Sequence, residues 1–379
     1  MGFDFDAGID RRGSSSTKWE KFDPDVLPMW VADMDFAAPQ FILSAIRERL
    51  EHPVLGYTDR PLSLDLAFQG WLERHYGWSV EHEWLVWLPG VVPALNLACR
   101  TLAGSGQKIL IPTPVYHPFL ALGANAGVGE IRVPMIVDQG HWSMDLERLQ
   151  DAVDRETRML LICNPQNPTG RCYSESEIEA LADFVIRNDL VLVSDEIHCN
   201  IVLKAGVEHR PLATVCPELE ARTISLYAAS KVYNIPGVSC AVAVIPDDEL
   251  RARFLDARAG LVSGIGPLGF AAAEAAFNDQ GRWIPDLVEY LRGNWGILKQ
   301  ALGSRLCDLE GTYLAWIDVR DLGINDPEAH FARHGLGISP GQQFEGTGYI
   351  RLNFGCSQAT LREGIERLNL GIAAAKSSS

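Results

Sequence analysis

The sequence predicts an α/β protein with a mostly parallel sheet in a large domain and a smaller α+β domain beside it. Three observations lead to this. Short apolar, β-branched runs alternate with longer amphipathic stretches through the middle of the chain. Each run stops abruptly at a polar or glycine-rich segment. Beyond about residue 275 the pattern changes to long helical stretches with only two strand-like runs among them.

Taken in order, the strand candidates are "WLVWL", "KILIP", "EIRVPM", "RMLLICN", "LVLVSDE", "TISLYA" and "CAVAVIP". Helical patterns such as "SESEIEALADFVIRND" separate several of them. Strands joined through helices pair in parallel and are covered on both faces, which is why they read as continuous apolar runs. We assign residues 46–275 to this large, cofactor-binding domain. The helical pattern around 282–302, the strand "TYLAWIDV", a helix near 326–334, the strand "YIRLNF" and a last helix follow. Residues 1–45 plus 276–379 are assigned to the small domain.

Composition excludes several function classes. The formal charge of −16 argues against a nucleic-acid partner, since phosphate polymers need a basic face. No apolar run is long enough to span a bilayer, and "MGFDFDAGIDRR" lacks the apolar core of a signal peptide, so no membrane association and a cytoplasmic location are expected. The eight cysteines form no CxxC pair and read as reduced thiols, neither a disulfide framework nor a zinc site. "HFARH" sets His330 and His334 one helical turn apart without an evident third ligand, so it reads as a solvated helix face and no metal is expected. "GIGPLG" matches a dinucleotide fingerprint in spacing, but it follows no clear strand and reads as a loop before the helix "FAAAEAAF". The apolar stripe of "WIPDLVEYLRGNWGIL" reads as core packing.

In open α/β sheets ligands bind beyond the carboxyl ends of the strands. There the runs lead into "PGVVPALN", "NPQNPTG", "DEIH" and "ASK". Read singly, these are a turn, a loop, a helix cap and a solvated strand-end lysine. Together they bring a glycine-led helix start, an asparagine, an aspartate and a lysine to one edge. A desolvated Lys231 amine forms a Schiff base with an aldehyde, and pyridoxal 5′-phosphate is the aldehyde cofactor that serves as an electron sink for amino-acid substrates. Asp195 is the carboxylate to keep the ring nitrogen protonated. Asn167 and His198 are hydrogen-bond donors for the phenolate oxygen, and Gly90, Val91 and Val92 supply backbone N–H groups for the phosphate. Tyr116 in "PTPVYHPF" is placed to stack on the ring. Arg351 in "YIRLNFG" offers a forked cation for the substrate carboxylate.

With these residues assembled, the chain resembles the fold-type I pyridoxal phosphate enzymes of the aminotransferase class I/II superfamily. "NPQNPTG", "SDEIH", "ASKVYNIPG" and "IRLNFG" carry the likeness across nearly the whole length. "LPMWVADMDF", "GYT" and "PGVVPAL" narrow it to the cystathionine β-lyase subgroup of carbon–sulfur lyases. The resemblance implies a homodimer with shared active sites, Lys231 as covalent anchor and Ser230 near the phosphate. It further implies that Tyr57 reaches the phosphate from the other subunit and that Ala32 and Asp33 line the substrate entrance. Met34, Phe36 and Tyr313 are expected near that entrance as well. Two positions depart from the pattern: relatives often carry a serine three residues before the lysine and an arginine eight after it, where this chain has Ala228 and Ser239. The expected activity is β-elimination from cystathionine or cysteine S-conjugates. An aminotransferase is the alternative, and a regulatory protein retaining the fold is a third reading.

Overall fold

The computed structural model describes residues 3–102 and 106–378. Strands β1 (Leu85–Leu88), β2 (Lys108–Thr113), β3 (Gly129–Pro134), β4 (Thr157–Cys163), β5 (Val191–Asp195), β6 (Thr223–Tyr227) and β7 (Ala241–Val244) coincide with the seven apolar runs. They form one seven-stranded sheet in the order β1-β7-β6-β5-β4-β2-β3. Neighbours are parallel except around β7, which is antiparallel to both β1 and β6. The reason is local: between β6 and β7 there is only a short 3-10 turn, Pro236–Val238, and a parallel return needs a longer crossover.

Period-two alternation sorts the strand residues onto two faces. In β4, Met159 and Leu161 join one core with helix residues Ala94, Leu95 and Ala98, while Leu160 and Ile162 join another with Leu181 and Val185. The first helix is α1 (Val91–Arg100), directly after β1, and the second is α2 (Glu175–Arg187). A capping box starts α2: the Glu177 N–H donates to the Ser174 hydroxyl and the Ser174 N–H donates to the Glu177 carboxylate. Its residues Ile178, Leu181, Ala182 and Val185 recur at helical spacing and are buried.

A second, three-stranded antiparallel sheet is built from β8 (Leu314–Asp318), β9 (Ser339–Pro340) and β10 (Tyr349–Asn353), with β10 central. The amino-terminal segment forms a separate two-stranded parallel sheet, Leu27–Pro28 pairing with Leu336–Gly337. From there residues 29–36 run to the edge of the large sheet. Asn353 Nδ2 donates to the carbonyls of Val31 and Asp33 at 2.6 and 2.7 Å, and Lys18 Nζ pairs with Asp35 at 2.7 Å. Met34 and Phe36, expected near the entrance, are part of the hydrophobic core of this region. Both are buried, Phe36 edge-on to Phe5 and Tyr290.

Helix Trp283–Leu302 buries Leu287, Leu291, Trp295 and Leu298 in the core shared with this sheet. Among the described residues no helix is long and apolar enough to cross a membrane.

One glycine supports β10 directly. A Cβ on Gly341 would overlap the carbonyl oxygens of Gly346 and Tyr349. Gly341→Ala is expected to destabilise the fold by about 1–3 kcal/mol through overpacking, visible as a lower midpoint in urea unfolding. An unchanged midpoint would contradict the packing described here.

Candidate active site

The carboxyl ends of β1, β4, β5 and β6 and the start of β7 surround a cavity of about 180 Å³. Its wall brings together Ala32, Gly90, Val91, Val92, Tyr116, Asn167, Asp195, His198, Ser230 and Lys231, residues drawn from across the chain. Strand register explains part of this: Cys163 of β4 lies opposite Asp195 of β5, and Asp195 opposite Leu226 of β6, so the segments after them start level.

Lys231 sits in the turn after β6. Its stem is partly exposed but its amine is enclosed, donating to the Ala32 carbonyl at 2.7 Å. The Tyr313 hydroxyl donates to the same oxygen at 2.9 Å. Burial, aided by the Arg351 cation, lowers the lysine pKa to about 8, against the opposing pull of Asp33 and Asp195. Such an amine loses its proton at lower pH than an ordinary lysine, and once deprotonated it serves as nucleophile and base.

Asp195 is buried, and its Oδ1 accepts the Ile197 N–H at 3.1 Å. Burial pushes its pKa up to about 7; Glu196 adds to the rise and Lys231 opposes it. A cationic group placed beside it would restore the carboxylate. His198 is buried, and burial together with Lys231 and Arg351 holds its imidazole neutral. Its Nδ1 has no hydrogen-bond partner within the protein, and its ring stands edge-on to Tyr313.

Arg351 rises from the middle of β10. Its Nη1 donates to Asn167 Oδ1 at 2.8 Å and its Nη2 to the Trp30 carbonyl at 3.0 Å, while Phe344 packs under the guanidinium at 4.5 Å. Its Nε is buried and unpaired. Burial lowers its pKa to about 10, which leaves it cationic at neutral pH. The Asn167 side is held by a tied loop, in which Gln166 donates to the Pro114 carbonyl and accepts from Thr169.

The residue 24–368 stretch matches the family profile for aminotransferase class I and II. The chain belongs to the aminotransferase class I and II family. Within this family it is similar to cystathionine β-lyase PatB of Bacillus subtilis (strain 168), 33% identical over 97% of this chain and 100% of PatB. A crystal structure of OvoB is 38% identical with a TM-score of 0.94, covering 98% of this chain and 99% of OvoB. A carbon–sulfur lyase from Staphylococcus hominis, solved with pyridoxal phosphate bound, is 29% identical with a TM-score of 0.92 over 98% of both chains.

The residues of this family member fit that cofactor. A desolvated amine, a buried carboxyl in need of a cation and an unpaired buried imidazole nitrogen surround one cavity. At the other end the N–H groups of Val91 and Val92 open α1, and the hydroxyls of Ser230 and Ser239 are nearby in the wall. Among the lining residues Lys231 is the one lysine or arginine, and Ala228 and Ser239 both lie in the wall. The departures noted in the sequence thus fall on the cavity itself.

Three expected residues do not line the cavity: Arg351 meets its wall through the hydrogen bond to Asn167, and Tyr57 and Asp33 lie outside it. Tyr57 is fully exposed in the segment between two helices and does not line the cavity of its own chain. Asp33 lies beside the wall without lining it, its Oδ2 paired with Arg11 at 2.5 Å. Sequence reasoning missed the Trp30 carbonyl, Cys163, Ile197, Pro236 and Cys240. Backbone acceptors and apolar wall residues carry no composition signal; Ile197, inside "DEIH", and Pro236, inside "ASKVYNIPG", were within reach. The decoys fall elsewhere: His330 Nε2 is bonded to the Gly371 carbonyl at 2.9 Å, and Gly264–Gly266 is a loop preceding the helix Pro267–Phe277.

Proposed function

We infer that this chain is a pyridoxal 5′-phosphate-dependent carbon–sulfur β-lyase. It acts on cystathionine or cysteine S-conjugates and releases a thiol, pyruvate and ammonia. The observation that carries the reading is the Lys231 amine sharing one cavity with Asp195, Asn167 and His198, with Arg351 hydrogen-bonded to Asn167, in a chain alike over nearly its whole length to a cystathionine β-lyase.

In this reading Lys231 anchors the cofactor. Asp195 keeps the ring nitrogen protonated, and Asn167 and His198 serve the phenolate side. Tyr116 covers the ring face, while Val91, Val92 and Ser230 hold the phosphate beside Gly90. The bound cofactor supplies an electron sink for the charge left at Cα when its proton departs. Arg351 fixes the substrate carboxylate, its unpaired Nε adding a donor to the two Nη groups. The Lys231 Nζ, released from its anchoring role, takes the Cα proton, and its lowered pKa suits it to hold and return that proton. Loss of the thiolate from Cβ completes the elimination, and the remaining fragment hydrolyses to pyruvate and ammonia.

The reading includes a homodimer in which Tyr57 of a second copy reaches the phosphate. Exposed Leu50, Val54, Leu55, Tyr57 and Leu62 support it, because apolar exposure this dense along one segment marks a contact surface. A cytoplasmic location accompanies it, supported by eight free cysteines. The assay is direct: protein with cofactor is expected to release thiol and pyruvate in equal amounts from cystathionine or S-alkylcysteines. Absence of both products overturns the lyase reading, and stoichiometric amine exchange with a 2-oxo acid establishes an aminotransferase instead.

A further inference from the structure

Asp195 and its neighbour Glu196 are consecutive carboxylates at the end of β5, and both are buried. They point to opposite sides, as successive residues leaving a strand do, so Asp195 lines the cavity and Glu196 does not. Burial of two adjacent acids calls for a compensating charge.

The Glu196 side is a closed network. Its Oε1 accepts the Ser194 hydroxyl at 2.7 Å and the Leu212 N–H at 3.4 Å. Its Oε2 meets His209 Nε2 at 2.5 Å, and His209 Nδ1 lies 3.1 Å from the Tyr76 hydroxyl. The His209 and Glu196 side chains are 2% and 0% exposed, so water does not serve them. Besides Asp195, the other titratable groups facing Glu196 are Tyr76, Cys163, Cys172, Cys199 and Tyr227. Burial pushes these thiols and phenols upward, leaving them neutral at ordinary pH. Among the described residues His209 is the basic side chain in contact with the Glu196 carboxylate. On the cavity side Asp195 faces Lys231 and the uncharged Cys163 and Tyr116.

We propose that His209 is a positioning residue for the reaction: through Glu196 it supplies the counter-charge that lets Asp195 remain ionised opposite the cofactor ring nitrogen. The proposal rests on the role given to Asp195 above. The Glu196 charge opposes ionisation of Asp195, and the Lys231 charge favours it. His209 is the side chain placed to offset the Glu196 charge directly.

The test compares His209→Gln, Glu196→Gln and the double variant. Each is followed by equilibrium dialysis of the holoenzyme against pyridoxal phosphate and by the pH profile of kcat/KM. His209→Gln is expected to weaken cofactor affinity about tenfold near neutral pH, with recovery as pH rises, and to move the acid limb of the profile up by about one pH unit. Glu196→Gln moves the limb down, and the charge-free double variant returns it close to wild type. Superimposable profiles for His209→Gln and wild type overturn the proposal, as does a double variant shifted as far as the single one. A lower melting temperature without any pH shift also overturns it, because packing alone predicts that result. Should His209→Gln fail to fold, the downward shift in Glu196→Gln decides. If wild type releases no thiol from S-conjugates, the lyase reading fails, while the affinity curves still judge His209.

Discussion

Lys231→Ala eliminates turnover: kcat is expected to fall by at least about 10³-fold, because the covalent anchor and the proton-transfer group are lost together. The variant folds, since the deletion removes one hydrogen bond to the Ala32 carbonyl and Tyr313 still serves that oxygen. Borohydride treatment distinguishes loss of chemistry from loss of the cofactor. Wild type retains the cofactor covalently after reduction and denaturation; the variant releases it. A small primary amine added to the variant restores part of the proton transfer. Turnover close to wild type in Lys231→Ala would remove the basis for the proposed reaction. The lowered lysine pKa, about 8, also has a directional consequence. The unliganded amine is mostly protonated below that value, so capture of free cofactor is expected to quicken as pH rises through it and then level off.

Arg351→Lys has the next largest effect, a loss of about 10²- to 10³-fold in kcat/KM, carried mainly by KM. The guanidinium satisfies Asn167 and Trp30 while keeping Nε in reserve, and a lysine ammonium reproduces neither the fork nor the packing over Phe344. A decarboxylated substrate analogue provides the comparison: its weak turnover should be unaffected by the substitution. Equal losses on substrates with and without the carboxylate would assign Arg351 a structural role in place of carboxylate binding.

The sheet and the residues at its strand ends were legible for a physical reason. Strands covered on both faces must be apolar throughout, so the polar residue that ends each run is conspicuous, as with Asp195 after "LVLVS" and Lys231 after "TISLYA". The antiparallel direction of β7 was not read, because "AVAV" looks the same in either direction; the clue was the lack of a helical stretch between 228 and 240. Contacts far apart in sequence were also hidden. The Ala32 carbonyl that holds Lys231 lies 199 residues away, and a main-chain acceptor leaves no trace in residue type. The Glu196–His209 pair was hidden differently: Glu196 stands inside a recognised motif, but nothing in "GVEHRP" announces that its histidine faces inward. Tyr57 marks a further limit, since one chain does not bring it to its own cavity.

The reversed strand β7 makes the segment from Ala228 to Cys240 behave as a ruler. At β4 and β5 the chain leaves the cavity through longer connections to the next strand, so extra residues there have room to bulge outward. Here the chain departs from β6 at the cavity edge and re-enters β7 at the same edge, with both its beginning and its end built into the wall. Length is therefore gauged at both ends, and a one-residue insertion would displace Lys231 from Asp195 or pull Ser239 out of the wall. The catalytic machinery of this chain is tuned by loop length here as well as by the identity of Lys231, and a change in residue number along this stretch is expected to disturb the site as a whole.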